Sequence, residues 1–354
     1  MAGGEPICVG VADDGTLALP WLRAALVQAQ RQSRSHALLV YASVPVGQLE
    51  LALALAQGWL CEHPEPPCGH CASCRHVRAR THPDLWIVVP DILRLQHGWL
   101  AEDDPLLKAG AKPSREIRVD QVREAIDWSH RSAGSARGRA MVLHPADALN
   151  PTAANALLKT LEEPPGRLRI VLTGSDPERL LPTLRSRVQR HRLQSPEPSE
   201  ALSWLAGQDV SDAPVLLRVA GGSPLEALAM VREGLDGRLL QELPKRTSQG
   251  DASSLIGKPV PRVVDLLLKV AHDAHAQTVG AIPRYFDART MPKPAPLAAL
   301  QRWRQELQRV ARHDEHPWNA GLVIEALVTN GARCWSDAAK LRADRPAHSI
   351  HSAR

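Results

Sequence analysis

Apolar residues in the first half of the chain alternate between short unbroken runs and longer stretches where they recur every three or four positions. The runs at 36–41 (HALLVY), 85–89 (LWIVV), 139–144 (RAMVLH) and 168–173 (LRIVLT) have the length and character of strands buried on both faces. Between them, Trp21, Leu22, Ala25 and Leu26 predict a helix over 20–32, and an Ala/Leu-rich stretch predicts one over 48–60. Val119, Val122 and Ile126 predict another over 117–130. Asn150 is a good N-cap with Pro151 at the first helical position. Ala154, Leu157, Leu158 and Leu161 then follow i, i+3, i+4, i+7 until Pro164, Pro165 and Gly166 stop the helix. Asp176 and Pro177 restart a helix that carries Ser186 and Arg187 to its far end, and a last strand closes by 192. Residues 91–115 read as a loop insertion of mixed polarity. Strands alternating with helices imply a parallel sheet with helices on both faces.

After about residue 193 the strand pattern ends. A linker over 195–200 leads into helices near 199–207, 213–220 and 224–234, broken at Gly221 and Gly222. A Pro/Ser/Gly-rich passage covers 243–261. Three more helices are marked by Val264, Leu267, Leu268 and Ala271, by Leu300, Trp303, Leu307 and Val310, and by Leu322, Val323, Ala326 and Leu327. The fold class is therefore α/β followed by all-α. Its segments are 1–192, 193–240 and 241–345, with 346–354 expected to fray.

Composition narrows the class. A chain of 354 residues, 44% hydrophobic and 23% charged, is globular rather than disordered and long enough for two or three domains. The net charge of +5 is mild, and arginines scattered over solvated helix faces account for it. The N-terminus lacks a basic-then-apolar leader, and no apolar run reaches membrane-spanning length. The chain is expected in the cytoplasm with reduced thiols. No nucleophile–base pair, polymerase carboxylate set or nuclease metal site is evident.

Six cysteines in such a compartment ask for metal, catalysis or burial. Cys61, Cys68, Cys71 and Cys74 form C-x6-C-x2-C-x2-C in a loop rich in Pro and Gly. Four thiolates around one point suit a closed tetrahedral Zn²⁺ site that holds structure and offers no open coordination position. An iron–sulfur cluster uses similar ligands, and a redox pair or plain buried thiols would also draw on cysteines. His63, His70 and His76 lie close enough in sequence to replace a ligand, but read as surface residues. Cys8 and Cys334 read as ordinary thiols.

A phosphate loop would sit after the first strand. It needs glycines for backbone approach, a lysine for charge and a hydroxyl for Mg²⁺. Here Ala42 and Pro45 stand where glycines belong, Gly47 alone survives, Gln48 replaces the lysine and Leu49 the hydroxyl. The third strand ends in His144 and Pro145 instead of an acidic pair, with Asp147 two positions on. No bound ATP is expected. These strings alone leave open that the fold was never built for a nucleotide.

The strings CGHCASC with THPDLW, IRVDQVREAI, NALLKTLEEPP, ERLLPTLRSR, GGSPLEAL and HPWNAGLVIEAL occur in that order over most of the chain. In them the chain resembles the delta-prime family of bacterial DNA polymerase III clamp-loader subunits. The resemblance implies an AAA+ core over 1–192 with a zinc module near 61–82, a helical lid over 193–240 and a C-terminal helical collar over 241–345. It implies a hetero-oligomeric ring with ATPase subunits and a delta subunit, which places a sliding clamp on primed DNA, in a replisome at the nucleoid. It further implies that Arg187, beside Ser186, reaches the ATP of a neighbouring subunit. A guanidinium aimed at a γ-phosphate stabilises the charge that develops on its oxygens during transfer. Family members follow this arginine with cysteine, where this chain has Val188, and their first cysteine spacer is longer. Active loaders carry an arginine shortly after Gly-Ser in the lid, whereas Gly222 and Ser223 are followed here by Pro224, Leu225 and Glu226. Two other readings compete: an ATPase with an unorthodox loop, and a stand-alone zinc-dependent nucleic-acid binder.

Overall fold

The apolar runs become a five-stranded parallel sheet in the order β2-β3-β4-β1-β5. The computed structural model describes residues 10–32, 35–100, 104–107, 112–312 and 319–343. Cys8, the expected fraying tail at 346–354 and the HPW of the 316–327 string lie outside them. The chain divides into two compact units, Met1–Pro196 and Glu197–Arg354.

In the first unit, helix α1 (Leu22–Gln32) leads to strand β1 (Ala37–Tyr41), and helix α2 (Gln48–Leu60) follows the first loop. Helix α3 (Ala72–Ala79) lies inside the cysteine-rich insertion. A polar eight-residue segment carries little periodicity, so the residues alone do not predict this helix. Strand β2 (Leu85–Val88) is followed by α4 (Asp91–Gln96) and a 3₁₀ turn at Pro105–Leu107. The expectation of a plain loop over 91–115 is thus corrected. Asp91 opens α4 and its buried carboxylate pairs with Arg118, so the segment is anchored to the start of the next helix. Helix α5 (Val119–Ser129), β3 (Arg139–Leu143), α6 (Pro151–Glu162) and β4 (Leu168–Gly174) follow. The Asn150 side chain accepts from Ala153 N at 2.8 Å and caps α6 as its sequence predicts. The single helix expected after Asp176 is instead a 3₁₀ turn at Pro177–Arg179 and a one-turn helix α7 (Pro182–Arg185), split where Pro182 starts a new turn. Strand β5 (Gln189–Arg192) completes the sheet.

Alternate side chains explain the two covered faces. Leu39, Met141, Leu143, Ile170 and Leu172 point into a cluster with Val122, Ala125, Leu157 and Leu161 of α5 and α6. Leu38, Val40, Val142 and Val171 are also buried, on the face met by α2. Helix α2 is apolar almost all round, and Leu51, Leu53 and Leu55 are at most 1% exposed. Each such side chain contributes about 1.5–3 kcal/mol by leaving water. Gln57, the polar residue in this buried stretch, is satisfied by Val11: its Oε1 accepts from Val11 N at 2.6 Å and its Nε2 donates to Val11 O at 2.9 Å.

The second unit is wholly helical among the described residues. Helices α8 (Pro198–Ala206), α9 (Ala213–Val219) and α10 (Pro224–Arg232) are followed by α11 (Gly237–Gln249), α12 (Val260–Thr278), α13 (Leu297–Arg312) and α14 (Ala320–Ala343). The irregular passage expected over 243–261 is corrected in its first part, since α11 runs through Pro244 to Gln249. Asp236 caps α11 at Leu239 N, and Leu240 and Leu243 bury its apolar side. One cluster of buried residues extends from Ala201 to Cys334. No single helix among the described residues is long and apolar enough to cross a membrane.

Candidate functional site

Parallel sheets present ligands to the loops at the carboxyl ends of their strands, so the loop after β1 and the ends of β3 and β4 are where a nucleotide would lie. Residues 42–49 occupy that position and are closed on themselves. Gln48, at the lysine position, does not project from the loop. Its Oε1 accepts from Val46 N at 2.9 Å, while its Nε2 donates to the carbonyls of Ala42 at 3.1 Å and Val44 at 3.0 Å. Trp21 Nε1 donates to Val46 O at 2.8 Å from outside. Of the amide groups that would wrap phosphate oxygens, that of Val46 is therefore spent on a side chain and, at Pro45, there is none. Gly47 retains φ +105°, and a Cβ there would come within 2.7 Å of Leu19 Cδ1. The surviving glycine thus serves close packing under the loop.

The strand ends match. His144 Nδ1 lies 2.6 Å from Thr173 Oγ1 at the end of β4. Burial, with a smaller contribution from His97, lowers the pKa of His144 to about 4, so a neutral imidazole stands where an ATPase needs carboxylates. Asp147, two positions on from Pro145, turns one oxygen to the loop after β4: its Oδ2 accepts from Ser175 N at 2.7 Å and Ser175 Oγ at 2.5 Å, while Oδ1 is buried without a hydrogen-bond partner. In the second unit, Ser223 caps α10 by accepting from Glu226 N, and Glu226 pairs with Arg262. The position after Gly-Ser thus serves local packing.

The cysteine insertion behaves in the opposite way. The Sγ atoms of Cys61, Cys68, Cys71 and Cys74 all lie within 4.8 Å of one another. The distances are 3.7 Å for Cys61–Cys68, 3.9 Å for Cys61–Cys71 and 3.9 Å for Cys68–Cys74. Four ligands about 2.3 Å from a tetrahedral centre are separated by ~3.8 Å, so these spacings fit a four-thiolate ion site. The chain makes this possible by turning at Gly69, where φ is +81° and a Cβ would fall 1.8 Å from the Ala12 carbonyl oxygen. Cys71 caps α3, its Sγ 3.4 Å from Cys74 N. Burial raises the Cys61 and Cys74 thiols. At Cys71 burial is outweighed by backbone N–H groups and the neighbouring thiols, which bring it down to about 7. Ser73, on the same helix, donates to Leu60 O at 2.7 Å and meets His82 Nε2 at 2.8 Å, tying the insertion to the end of α2. The nearby histidines bond locally instead: His63 to Glu65 N, His70 to Cys68 O and His76 to Thr81 Oγ1. Among the described residues only the cysteines converge.

Arg187 stands just before β5, its side chain 32% exposed. Nε and Nη2 both meet Glu162 Oε1, the former at 2.6 Å. Nη1 donates to Thr183 O at 2.7 Å and approaches Ser186 Oγ at 3.2 Å. The guanidinium is thereby oriented by its own chain, with Ser186 as one of its supports. Neither Glu162 nor the internal bonding of Gln48 was identified from sequence. The proximity of the LEEPP glutamates to the later arginine depends on β4 returning alongside β1, which no local spacing reports.

A sheet ordered β2-β3-β4-β1-β5, with a modified phosphate loop after β1, belongs to the AAA+ class of P-loop folds, here with a four-thiol insertion. A family described as "DNA polymerase III, delta subunit" matches residues 22–197. The delta-prime subunit of DNA polymerase III from Pseudomonas aeruginosa is 32% identical over 262 residues, covering 70% of this chain and 74% of that protein. The Escherichia coli K12 delta-prime subunit is 34% identical over 249 residues, covering 67% of this chain and 69% of that protein. Among solved structures, a gamma subunit-related protein of DNA polymerase III from Thermotoga maritima aligns with a TM-score of 0.49 at 16% identity, covering 88% of this chain and 99% of that one. The chain belongs to the delta-prime subunits of DNA polymerase III.

Proposed function

We propose that this chain is a non-hydrolysing delta-prime subunit of a hetero-oligomeric clamp loader, and that it lends Arg187 to the nucleotide of a neighbouring ATPase subunit. The observation that carries the first half is the side chain of Gln48, which fills the phosphate loop's own hydrogen bonds. Supporting the second half is a partly exposed guanidinium already oriented by Glu162, Thr183 and Ser186. In this reading the cysteine cluster holds a structural Zn²⁺ that fastens the insertion to α2. Residues 193–240 act as a lid, and 241–345 as the collar that joins delta and the ATPase subunits. The assembly acts in the cytoplasm, with the sliding clamp and primed DNA as its indirect partners.

The test is ATP turnover by the assembled loader with Arg187→Ala and Arg187→Lys. An arginine supplied in trans contributes about 10³–10⁵ in rate at the site it serves. Single-turnover hydrolysis at that one site is expected to fall by roughly 10³ or more with alanine. Lysine should restore little of it, because it lacks the planar fork. Unchanged turnover with alanine would reject the trans role.

A further inference from the structure

At the amino-terminal ends of the strands, opposite the closed loop, the first unit carries an open cleft of about 760 Å³ lined by basic residues. Its walls come from separate segments: His36 before β1, Trp59 at the end of α2, Arg137 before β3, and Arg167 and Arg169 at the start of β4. Among the described residues no carboxylate lines it. The three arginines are exposed, and each is held by a neutral group. Arg137 Nη2 donates to the Glu62 carbonyl at 3.2 Å, Arg167 Nη1 donates to the Ala136 carbonyl at 2.9 Å, and the Arg169 guanidinium lies 5.5 Å from the centre of the Trp59 ring. Elsewhere in this unit Arg78, Arg94, Arg118, Arg139, Arg185 and Arg187 face carboxylates, while Arg23 bonds the Gly15 carbonyl and Arg80 lies over the Trp99 ring. In the cleft, then, the side chains are steadied but their charge is not cancelled.

We infer that this cleft binds single-stranded nucleic acid without sequence preference. A carbonyl partner leaves a guanidinium its full charge and several free N–H groups, which suits bidentate contact with phosphate. Three such charges from two chain segments, one before β3 and one at the start of β4, match a string of phosphodiesters in an open cleft better than one small anion. The Arg169–Trp59 stack adds a planar cationic face on which an unpaired base can lie, a device that single strands offer and duplexes do not. His36 does not add charge to the wall, since its Nε2 is engaged 2.6 Å from the Leu161 carbonyl oxygen. Arg187 precedes β5 and so lies at this same end of the strands, but it is paired with Glu162 and is not among the residues that line the cleft, so the two proposals rest on different side chains.

The test is fluorescence anisotropy of a labelled oligothymidylate with the whole chain, titrated from 50 to 200 mM salt. Three phosphate contacts on a single strand give a log–log salt slope of about −2.1, an affinity loss of about 18-fold over that range. With Arg137→Gln and Arg167→Gln together, the slope should shrink to about −0.7 and the loss to about threefold. Trp59→Leu should weaken binding while leaving the slope in place, because it removes the stack and no charge. Arg190→Gln with Arg192→Gln, which removes equal charge from exposed positions on β5, is the control and should keep the wild-type slope. Equal loss in the control would mean diffuse attraction and overturn the proposal. An unchanged slope in the cleft variant would overturn it too, as would polyglutamate displacing the oligonucleotide at equal charge concentration.

Discussion

The loop after β1 and the cysteine insertion are both places where this class of fold gathers polar groups for a ligand, and they have gone opposite ways. In the loop, the donors and acceptors meet one another: Gln48 bridges Ala42, Val44 and Val46 within the turn. In the insertion, four sulfur atoms converge at spacings suited to an ion, and the backbone is bent at Gly69 to bring them there. A site without its ligand must satisfy its buried polar groups internally, because an unpaired one costs about 1–3 kcal/mol. A site built around a ligand can leave its groups facing inward, with the ligand supplying the compensation. The contrast separates a loop that has become structure from an insertion whose four thiols converge where an ion could be held.

The largest expected effect tests the insertion. Cys71→Ala with Cys74→Ala should abolish stoichiometric zinc in metal analysis and sharply lower the urea midpoint of the first unit. Structural zinc sites hold roughly 10–16 kcal/mol of binding free energy, and much of it acts as folding free energy. A metal-free variant that unfolds at the wild-type midpoint would erase the contrast.

Next comes the strand end beside the loop. His144 has a pKa of about 4 in the fold, against an ordinary value of 6.5. The unfolded chain therefore binds the extra proton between those values. Stability is fully present above pH 6.5 and is lost as pH falls toward 4. The loss amounts to at most about 3 kcal/mol. His144→Asn should flatten this part of the stability–pH curve measured by urea titration. A curve that keeps its slope would show the imidazole to be solvated rather than part of a dry strand end.

Much of this architecture could be read in the residues. Strands at 36–41, 85–89, 139–144 and 168–173 announce themselves because burial on both faces leaves unbroken apolar runs. The cap at Asn150 and the stop at Pro164 fix α6 almost to the residue. What could not be read is of a different kind. Helix α3 is short and polar, and Cys71 is its cap as well as a proposed ligand, so the metal spacing hid the helical one. Helix α4 was obscured because its anchor, the buried Asp91, pairs with Arg118 far along the chain. Pro244 suggested a break, yet α11 continues through it with Leu240 and Leu243 buried. In the site, sequence reported that the lysine was gone. That its replacement bonds the loop from within is a matter of rotamer and register, which only the fold supplies.

A smaller effect sharpens the loop side of the comparison. Gln48→Ala leaves Val46 N–H and two carbonyls without their partner and should cost about 1–3 kcal/mol in urea denaturation. Gln48→Lys should also destabilise, without creating ATP affinity, since Pro45 and Leu49 still lack the N–H and hydroxyl a phosphate loop uses. The smallest effect concerns Glu162→Gln. Exposed ion pairs contribute about 0–1 kcal/mol, so global stability should barely move. The assembled loader's turnover should fall in the same direction as with Arg187→Ala but by far less, because the amide still accepts a hydrogen bond. A large stability loss would recast the pair as a structural tie.

The measurement that bears most directly on the central claim, a motor scaffold whose fuel grip has been rewired into structure, is equilibrium binding of labelled ATP to the purified chain with Mg²⁺. The account predicts no saturable binding at micromolar ATP, and none in the Gln48→Lys variant. Tight, Mg²⁺-dependent, stoichiometric binding by the wild-type chain would contradict it.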